Sequence, residues 1–324
     1  MIKPEVSIII PTYNEEEHVR DCLESLLNEF VAQNAEIIIA DGGSTDDTKK
    51  IIRDFERGHP RAQVRLIDNP LKHQSFGLNA GIKVARGKII VRIDAHARYP
   101  KNYVRRCVEL LEKTGADNAG GVMRAKGVGD FQELVALAMN HPIGVGDAKF
   151  HLGRKSGYVD TVYLGTFRKG IFGKLGFFDP YQNQDAEFNL RILDSGGKIF
   201  LDNSIKVDYF PRMSLGALIS QYFNYGRGRC RTTLKHRRFT SFRQLAPFLL
   251  VLGLIDSLFL SALAGPVFLL FPILYAAAIF LFSLLVLGRN PRRFSQSLSL
   301  ALIFMSMHVS WGMGFWAYLL GISR

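Results

Sequence analysis

The side chains best placed to do chemistry are acids and one histidine that follow apolar runs. Asp94 and His96 stand two positions apart in Arg92-Ile93-Asp94-Ala95-His96-Ala97-Arg98, directly after Ile89-Ile90-Val91. A carboxylate and an imidazole at that spacing make a half-site for a divalent cation, Mg²⁺, Mn²⁺ or Zn²⁺; a surface hydrogen bond is the plainer reading. Two more polar turns share the arrangement, Thr12 to Glu15 after the run Val6 to Ile10, and Asp41 to Asp47 after Glu36 to Ala40. Asp185 opens a stretch in which Phe188, Ile192 and Leu193 recur at helical spacing before Gly196-Gly197. Its carboxylate therefore meets the positive end of a helix dipole.

The elements that must position these residues alternate. Val6 to Ile10, Glu36 to Ala40, Val64 to Ile67 and Lys88 to Ile93 read as strands. Between them, Asn14 with Glu17 resembles a capping box for a helix carrying Val19, Cys22, Leu23, Leu26, Leu27 and Phe30. Ser44 or Thr45 can cap a second helix with Ile51, Ile52 and Phe55, and Leu78 to Ala85 forms a third, stopped by Gly87. Strands this apolar, alternating with helices, predict a parallel sheet covered on both faces. In such a sheet the three polar turns share one edge, where α/β folds bind ligands. Neither GxGxxG nor GxxxxGK(S/T) is present, so a bound nucleotide diphosphate needs a cation at Asp94 and His96 rather than a glycine loop. Further on, helices are expected at Tyr103 to Lys113 and Phe131 to Met139, strands at Ala119 to Met123 and Val159 to Tyr163, and a mobile loop from His141 to Gly157.

Three cysteines at unrelated spacings, Cys22, Cys107 and Cys230, give no disulfide framework and no zinc pattern, which fits a reducing compartment. The run Val6 to Ile10 is too short for a secretory signal, so none is expected. A net charge of +12 would suit nucleic acid if it were spread along the chain. It is not: after Asp208 one acid, Asp256, faces twelve Lys and Arg. The basic excess coincides with the long apolar segments and reads as membrane-facing charge, with no nucleic-acid partner.

From Met213, the face Leu215, Leu218, Ile219, Tyr222 and Phe223 precedes Arg227, Arg229, Arg231, Lys235, Arg237 and Arg238, an interfacial pattern. Leu245 to Leu263 and Pro266 to Leu287 are each long enough to cross a bilayer. Leu298 to Leu320 is a weaker third span, with Trp311, Trp316 and Tyr318 suited to an interface belt. The basic run before Leu245 and the loop Arg289 to Arg293 belong in the cytoplasm by the positive-inside bias. Asp256 lies inside the first span, where acids are paired or functional. The expected organisation is an α/β domain over 1–212, basic interfacial helices over 213–244 and transmembrane helices over 245–324.

Pro11-Thr12-Tyr13-Asn14-Glu15, Asp41-Gly42-Gly43-Ser44-Thr45-Asp46, Asp94-Ala95-His96 and Gln184-Asp185 occur in the order found in the inverting glycosyltransferases of family 2. The chain resembles that family, with its GT-A fold, over roughly residues 4 to 230. It is most similar to membrane-attached enzymes of bacterial succinoglycan and exopolysaccharide assembly, through residues 92–97, 141–147 and 222–231. The resemblance implies that Pro11, Tyr13, Glu15 and Asp41 hold the nucleoside of a UDP-sugar, with Asn79 and Gly81 in a second nucleotide-contacting stretch. It also implies that Asp94 and His96 bind a divalent metal, Mn²⁺ or Mg²⁺, and that Asp185 is the catalytic base. Gly165, Thr166, Gln184, Arg227 and Arg229 are implied around the acceptor or diphosphate. The partners implied are a polyprenyl-diphosphate-linked saccharide, the bilayer and other membrane proteins of glycan assembly. The implied location is the cytoplasmic membrane, multi-pass, with the catalytic domain in the cytoplasm.

Two departures stand out. Gln184 replaces the acid that usually precedes the base, and His96 replaces the second carboxylate of D-x-D. Imidazole suits Mn²⁺ better than Mg²⁺, so Mn²⁺ is the expected metal. Two other readings compete. A processive synthase lacks support because Gln-x-x-Arg-Trp is absent. A membrane-tethered sugar-nucleotide sensor would tolerate Gln184 but not require Asp185.

Overall fold

The alternating runs build the first of two units, residues 1–124 and 149–209; residues 125–148 and 210–324 form the second. A computed structural model describes residues 4–180, 183–239, 241–288 and 293–322. Residues 289–292, most of the expected basic loop, lie outside the described residues, as do Tyr181, Gln182 and the side chain of Phe30.

In the first unit, β1 (Val6–Thr12), β2 (Ala35–Asp41), β3 (Gln63–Asp68) and β4 (Ile89–Arg92) run parallel in the order β3-β2-β1-β4. They are joined through α1 (Val19–Gln33), α2 (Thr48–Gly58) and α3 (Gln74–Val84). Strand side chains alternate between the two faces. Ile8, Ile10, Ile37 and Ile39 pack with Leu23, Leu26, Ile52 and Phe55 on one face, while Ile9 and Ile38 pack with Leu78 and Ile82 on the other. All six isoleucines are fully buried, each worth roughly 1.5–3 kcal/mol. Coverage on both faces is why β1 and β2 read as predominantly apolar runs.

Beyond β4 the expected all-parallel sheet becomes mixed. The remaining strands are β5 (Ala97–Arg98), β6 (Asn118–Ala125), β7 (Gly157–Tyr158), β8 (Tyr163–Arg168) and β9 (Ile199–Tyr209). The order continues β4-β8-β6-β9-β5, with β7 on β9. β8 is antiparallel to β4 through Val91↔Thr166 and to β6 through Ala119↔Thr166, a pairing that needs no crossover helix. Helices α4 (Tyr103–Thr114), α8 (Gly170–Leu175) and α9 (Gln184–Asp194) complete the faces. Of the expected strand Val159 to Tyr163, only Tyr163 is in a strand, as the first residue of β8; the rest connects β7 to β8. The expected loop His141 to Gly157 folds into two single-turn helices, α6 (Pro142–Val145) and α7 (Lys149–Leu152).

Two expected caps are also corrected. α1 starts at Val19, and Asn14 sits before it at φ 54°, in the left-handed region. Asn14 instead accepts from the Thr45 N–H, and its own N–H donates to Ser44 Oγ. α2 starts at Thr48, whose N–H donates to Asp46. The polar side chains that look like helix caps bind one turn to the next.

The second unit contains α5 (Asp130–Met139), α10 (Leu215–His236), α11 (Leu245–Ala264), α12 (Leu270–Leu287) and α13 (Arg293–Leu319), together with α6. Segments Leu245–Ala264, Pro266–Leu287 and Phe294–Leu319 are long and apolar enough to cross a membrane. α10 lies along α13 at close range: a Cβ on Gly226 would fall 1.9 Å from the Trp311 carbonyl oxygen, and one on Gly314 1.9 Å from that of Phe223. Only glycine fits there. The tryptophans expected at an interface belt are half-buried, and Trp311 stacks on Phe315. Trp316 stacks on Phe248 and donates to its carbonyl 3.0 Å away. His308 of α13 bonds Tyr275 Oη of α12 at 3.0 Å and the Ile143 carbonyl at 2.6 Å.

Candidate active site

Parallel strands end on one edge, so β1, β2 and β4 bring Thr12 to Glu15, Asp41 to Asp47 and Asp94 to Arg98 together. The first two turns are zipped. Gly42 N–H donates to the Thr12 carbonyl at 2.8 Å, Glu15 N–H to Thr48 Oγ1 at 2.8 Å, and Asp47 N–H to Glu16 at 2.9 Å. Asp41 is buried and shapes its own turn. It accepts from Ser44 Oγ at 2.5 Å and from the Gly43 and Ser44 N–H groups at 2.9 and 3.0 Å, and it pairs with Lys49 at 3.2 Å. Its Oδ1 takes only one of these bonds, which leaves capacity for one more donor. Tyr13 projects beside it, 46% exposed, with Lys72 Nζ 5.8 Å from its ring centroid. Pro11 is the penultimate residue of β1.

Asp94 is the hub of the edge. Tyr99 Oη accepts from the Asp94 N–H at 2.8 Å and donates to the Asp94 carbonyl at 3.0 Å, fixing its backbone. Burial, then the Asp94 charge, raises the Tyr99 pKa well above the usual phenol range, so the hydroxyl stays a donor. Asp94 Oδ1 accepts from Gln74 Nε2 at 2.9 Å and lies 3.5 Å from an Arg92 nitrogen. Oδ2 has no hydrogen-bond partner among the described residues. Arg92 also reaches Asp185, 3.7 Å away, so two carboxylates share one buried guanidinium. Burial opposes the Arg92 charge, but Asp94 and then Asp185 outweigh it and raise its pKa further.

Asp185 is half-exposed in the first turn of α9, its Oδ1 accepting from the Ala186 N–H at 2.8 Å. Gln184, 6% exposed, donates to Gln74 Oε1 at 2.9 Å. A chain of side chains thus runs Asp94–Gln74–Gln184, and a second runs Asp94–Arg92–Asp185. His96 turns its Nδ1 to Glu15, 3.0 Å away, at the exposed rim.

Other sequence-derived residues are placed differently. The Asn79 amide is taken by the backbone of Phe178, donating to its carbonyl at 2.8 Å and accepting from its N–H at 3.0 Å. Gly81 lets α3 lie against β1, since a Cβ there would be 2.5 Å from Ile9 Cγ2. Gly165 and Thr166 are buried on β8, beside β4. Arg227 and Arg229 belong to α10 of the second unit. Sequence reasoning assigned no role to Arg92, Gln74, Tyr99 or Lys72. Arg92 did carry a signal, as a charge closing a buried run, and long cations are buried only when paired.

A divalent cation fits this edge by its donor chemistry. Among the described residues no three His, Cys, Asp or Glu gather into a metal cluster. A cation held mainly by a diphosphate needs only one or two protein donors, and Asp94 Oδ2 is such a donor.

The family model for glycosyl transferase family 2 matches residues 7–176. The succinoglycan biosynthesis protein ExoA of Rhizobium meliloti (strain 1021) is 34% identical over 323 residues, 98% of this chain and 96% of that protein. A Methanococcus voltae protein named as a dolichyl N-acetyl-alpha-D-glucosaminyl phosphate 3-beta-D-2,3-diacetamido-2,3-dideoxy-beta-D-glucuronosyltransferase is 29% identical over 230 residues, 68% of this chain and 71% of that one. Among solved structures, the mannosyltransferase PcManGT of Pyrobaculum calidifontis, in complex with GDP-Man and Mn²⁺, aligns with a TM-score of 0.64 at 18% identity. That alignment covers 100% of this chain and 89% of that one and shows a common fold. A family model over half the chain and a relative alike along nearly all of it leave one assignment: the chain belongs to glycosyl transferase family 2, a glycosyltransferase on the GT-A fold.

Proposed function

We propose that the enzyme moves one sugar, with inversion, from a UDP-sugar to a lipid-diphosphate-linked saccharide at the cytoplasmic face of the membrane. The pathway is exopolysaccharide or cell-surface glycan assembly. The observation that carries this reading is the pair of carboxylates, Asp94 and Asp185, that share the Arg92 guanidinium at the ligand edge of the sheet. An inverting transfer needs one base for the acceptor hydroxyl and a stabiliser for the departing diphosphate. Asp185, half-exposed at a helix N-terminus, is suited to take the hydroxyl proton on its carboxylate. Arg92 keeps that carboxylate oriented and balances its charge. Asp41 and Tyr13 bind and orient the uridine, with Asp41 Oδ1 accepting from the uracil N–H. Asp94 Oδ2, with His96 beside it, would hold the divalent cation, which when bound supplies Lewis-acid stabilisation of the leaving diphosphate.

The acceptor reading draws support from the names of the relatives, one a succinoglycan biosynthesis protein and one a transferase named for a dolichyl-linked sugar phosphate. Three membrane-length helices supply the place where such an acceptor is met. The test is Asp185→Asn in purified enzyme, assayed against a panel of UDP-sugars with a lipid-diphosphate monosaccharide. Turnover should fall by roughly 10²–10⁴-fold while UDP binding persists. An Asp185→Asn enzyme with wild-type turnover would sink the assignment of the base. Product length from single encounters separates one-sugar transfer from processive synthesis, which predicts long chains.

A further inference from the structure

We propose that Gln74 and Gln184 are positioning residues that act as a directional amide bridge. The bridge aims Asp94 Oδ2 at the cation and ties that carboxylate to the helix carrying the base. The inference rests on Asp94 as cation ligand and Asp185 as base, and deepens that reading.

Hydrogen-bond direction carries it. An ionised carboxylate only accepts, so the Gln74 amide must turn its Nε2 toward Asp94 Oδ1, 2.9 Å away. Its Oε1 then points the other way and requires a donor. Gln184 Nε2 is that donor at 2.9 Å, from a side chain 6% exposed. Tyr99 grips the Asp94 backbone at both N–H and carbonyl. With backbone and Oδ1 both fixed, Oδ2 is left as the Asp94 oxygen without a hydrogen-bond partner among the described residues. Gln184 is also the residue directly before Asp185 in the first turn of α9. Moving one end of the bridge therefore moves the other.

On this account Gln184 is no decayed acid. A carboxylate at 184 has no hydrogen to give and would set an anion against Gln74 Oε1. The amide would then have to reverse, turning its oxygen on Asp94. The pair Gln74–Gln184 is one solution, and an acid at 184 belongs to a differently wired site.

The test turns on a sign. If position 184 acts only through charge, Gln184→Glu brings a negative charge toward the cation and tightens its binding. The bridge predicts the reverse. Full-length protein in detergent, with UDP present, is titrated with Mn²⁺ and free Mn²⁺ is read by electron paramagnetic resonance. Gln184→Glu, Gln184→Met and Gln74→Met should each bind Mn²⁺ about 10-fold more weakly, as outer-shell changes do, with melting temperatures near wild type. Wild-type or tighter binding by Gln184→Glu, or unchanged binding by both methionine variants, would overturn the bridge. Should Gln184→Glu fail to fold, Gln74→Met breaks the same bridge from its other end. Asp94→Asn separates the two ideas. If it binds Mn²⁺ like wild type, the cation assignment fails, whereas Asp94→Asn weakened beside intact Gln184→Glu and Gln74→Met defeats the bridge alone.

Discussion

Arg92 is the residue on which the edge balances. Its nitrogens lie 3.5 and 3.7 Å from the two carboxylates, beyond normal hydrogen-bond length, so it acts mainly as shared charge. Replacing it with methionine removes the positive charge that Asp94 and Asp185 share. Arg92→Met should lower kcat by about 10–100-fold, as outer-shell changes at such sites do, with UDP binding through the Asp41 turn little changed; steady-state kinetics and UDP titration check both. His96 bears on metal choice. An imidazole beside a carboxylate favours Mn²⁺ over Mg²⁺, so Mn²⁺ should support the higher rate at matched saturation, and equal rates would remove His96 from the ligand set. Asp41 and Asp94 were visible in the sequence because each follows an apolar run, and Asp185 because it opens a stretch with helical periodicity. Arg92, Gln74 and Tyr99 were not assigned, because their roles depend on partners 93, 110 and 5 positions away, at Asp185, Gln184 and Asp94.

The strands and the helices between them were readable for a simple reason: burial on both faces makes β1 and β2 predominantly apolar, each with three isoleucines in a row. The antiparallel half was not, since β5 and β7 are only two residues long and carry no period. Asn14 and Ser44 misled as caps because the same side chains that cap helices also bridge turns. Within β2 one acid breaks the apolar pattern, and it fastens the parallel strands. Glu36 is fully buried and accepts from Ser7 Oγ at 2.7 Å and from the Arg86 N–H and Nε at 2.6 and 2.9 Å. Burial opposes its charge, but the Arg86 N–H, the Ser7 hydroxyl and the Arg86 guanidinium outweigh that and hold its pKa below the ordinary 4.5. A group depressed on folding adds stability above its unfolded pKa and loses it as the pH falls through the folded value. Wild-type melting temperature should therefore drop as the pH is lowered below about 4.5, and Glu36→Gln should flatten that drop. The same change should cost about 1–3 kcal/mol at neutral pH. Thermal melts across pH read both effects. In the second unit, Gly226→Ala places a methyl group against the Trp311 carbonyl, and forced separation of α10 and α13 should cost about 1–3 kcal/mol, seen as a lower melting temperature in detergent.

Across the whole molecule, charge and hydropathy divide the chain more sharply than any single motif does. Twelve Lys and Arg and one acid follow Asp208, and the same stretch holds the three helices of membrane length found among the described residues. Eight of the twelve precede the first of these helices, three fall between the second and third, and Arg324 follows the third. The positive-inside bias predicts a cytoplasmic position for the eight and for the three, with the Ala264–Gly265 hairpin outside and α13 crossing a third time. Single-cysteine labelling tests this, because Cys22, Cys107 and Cys230 are all buried and give little background. With a membrane-impermeant maleimide on intact cells, Gly265→Cys and Ile322→Cys should label. Phe239→Cys should label only after lysis. Labelling of Phe239→Cys in intact cells would invert the topology and remove the cytoplasmic donor pool from reach of Asp94. Labelling of Gly265→Cys without Ile322→Cys would instead mean that α13, packed on α10 through Gly226 and Gly314, does not cross.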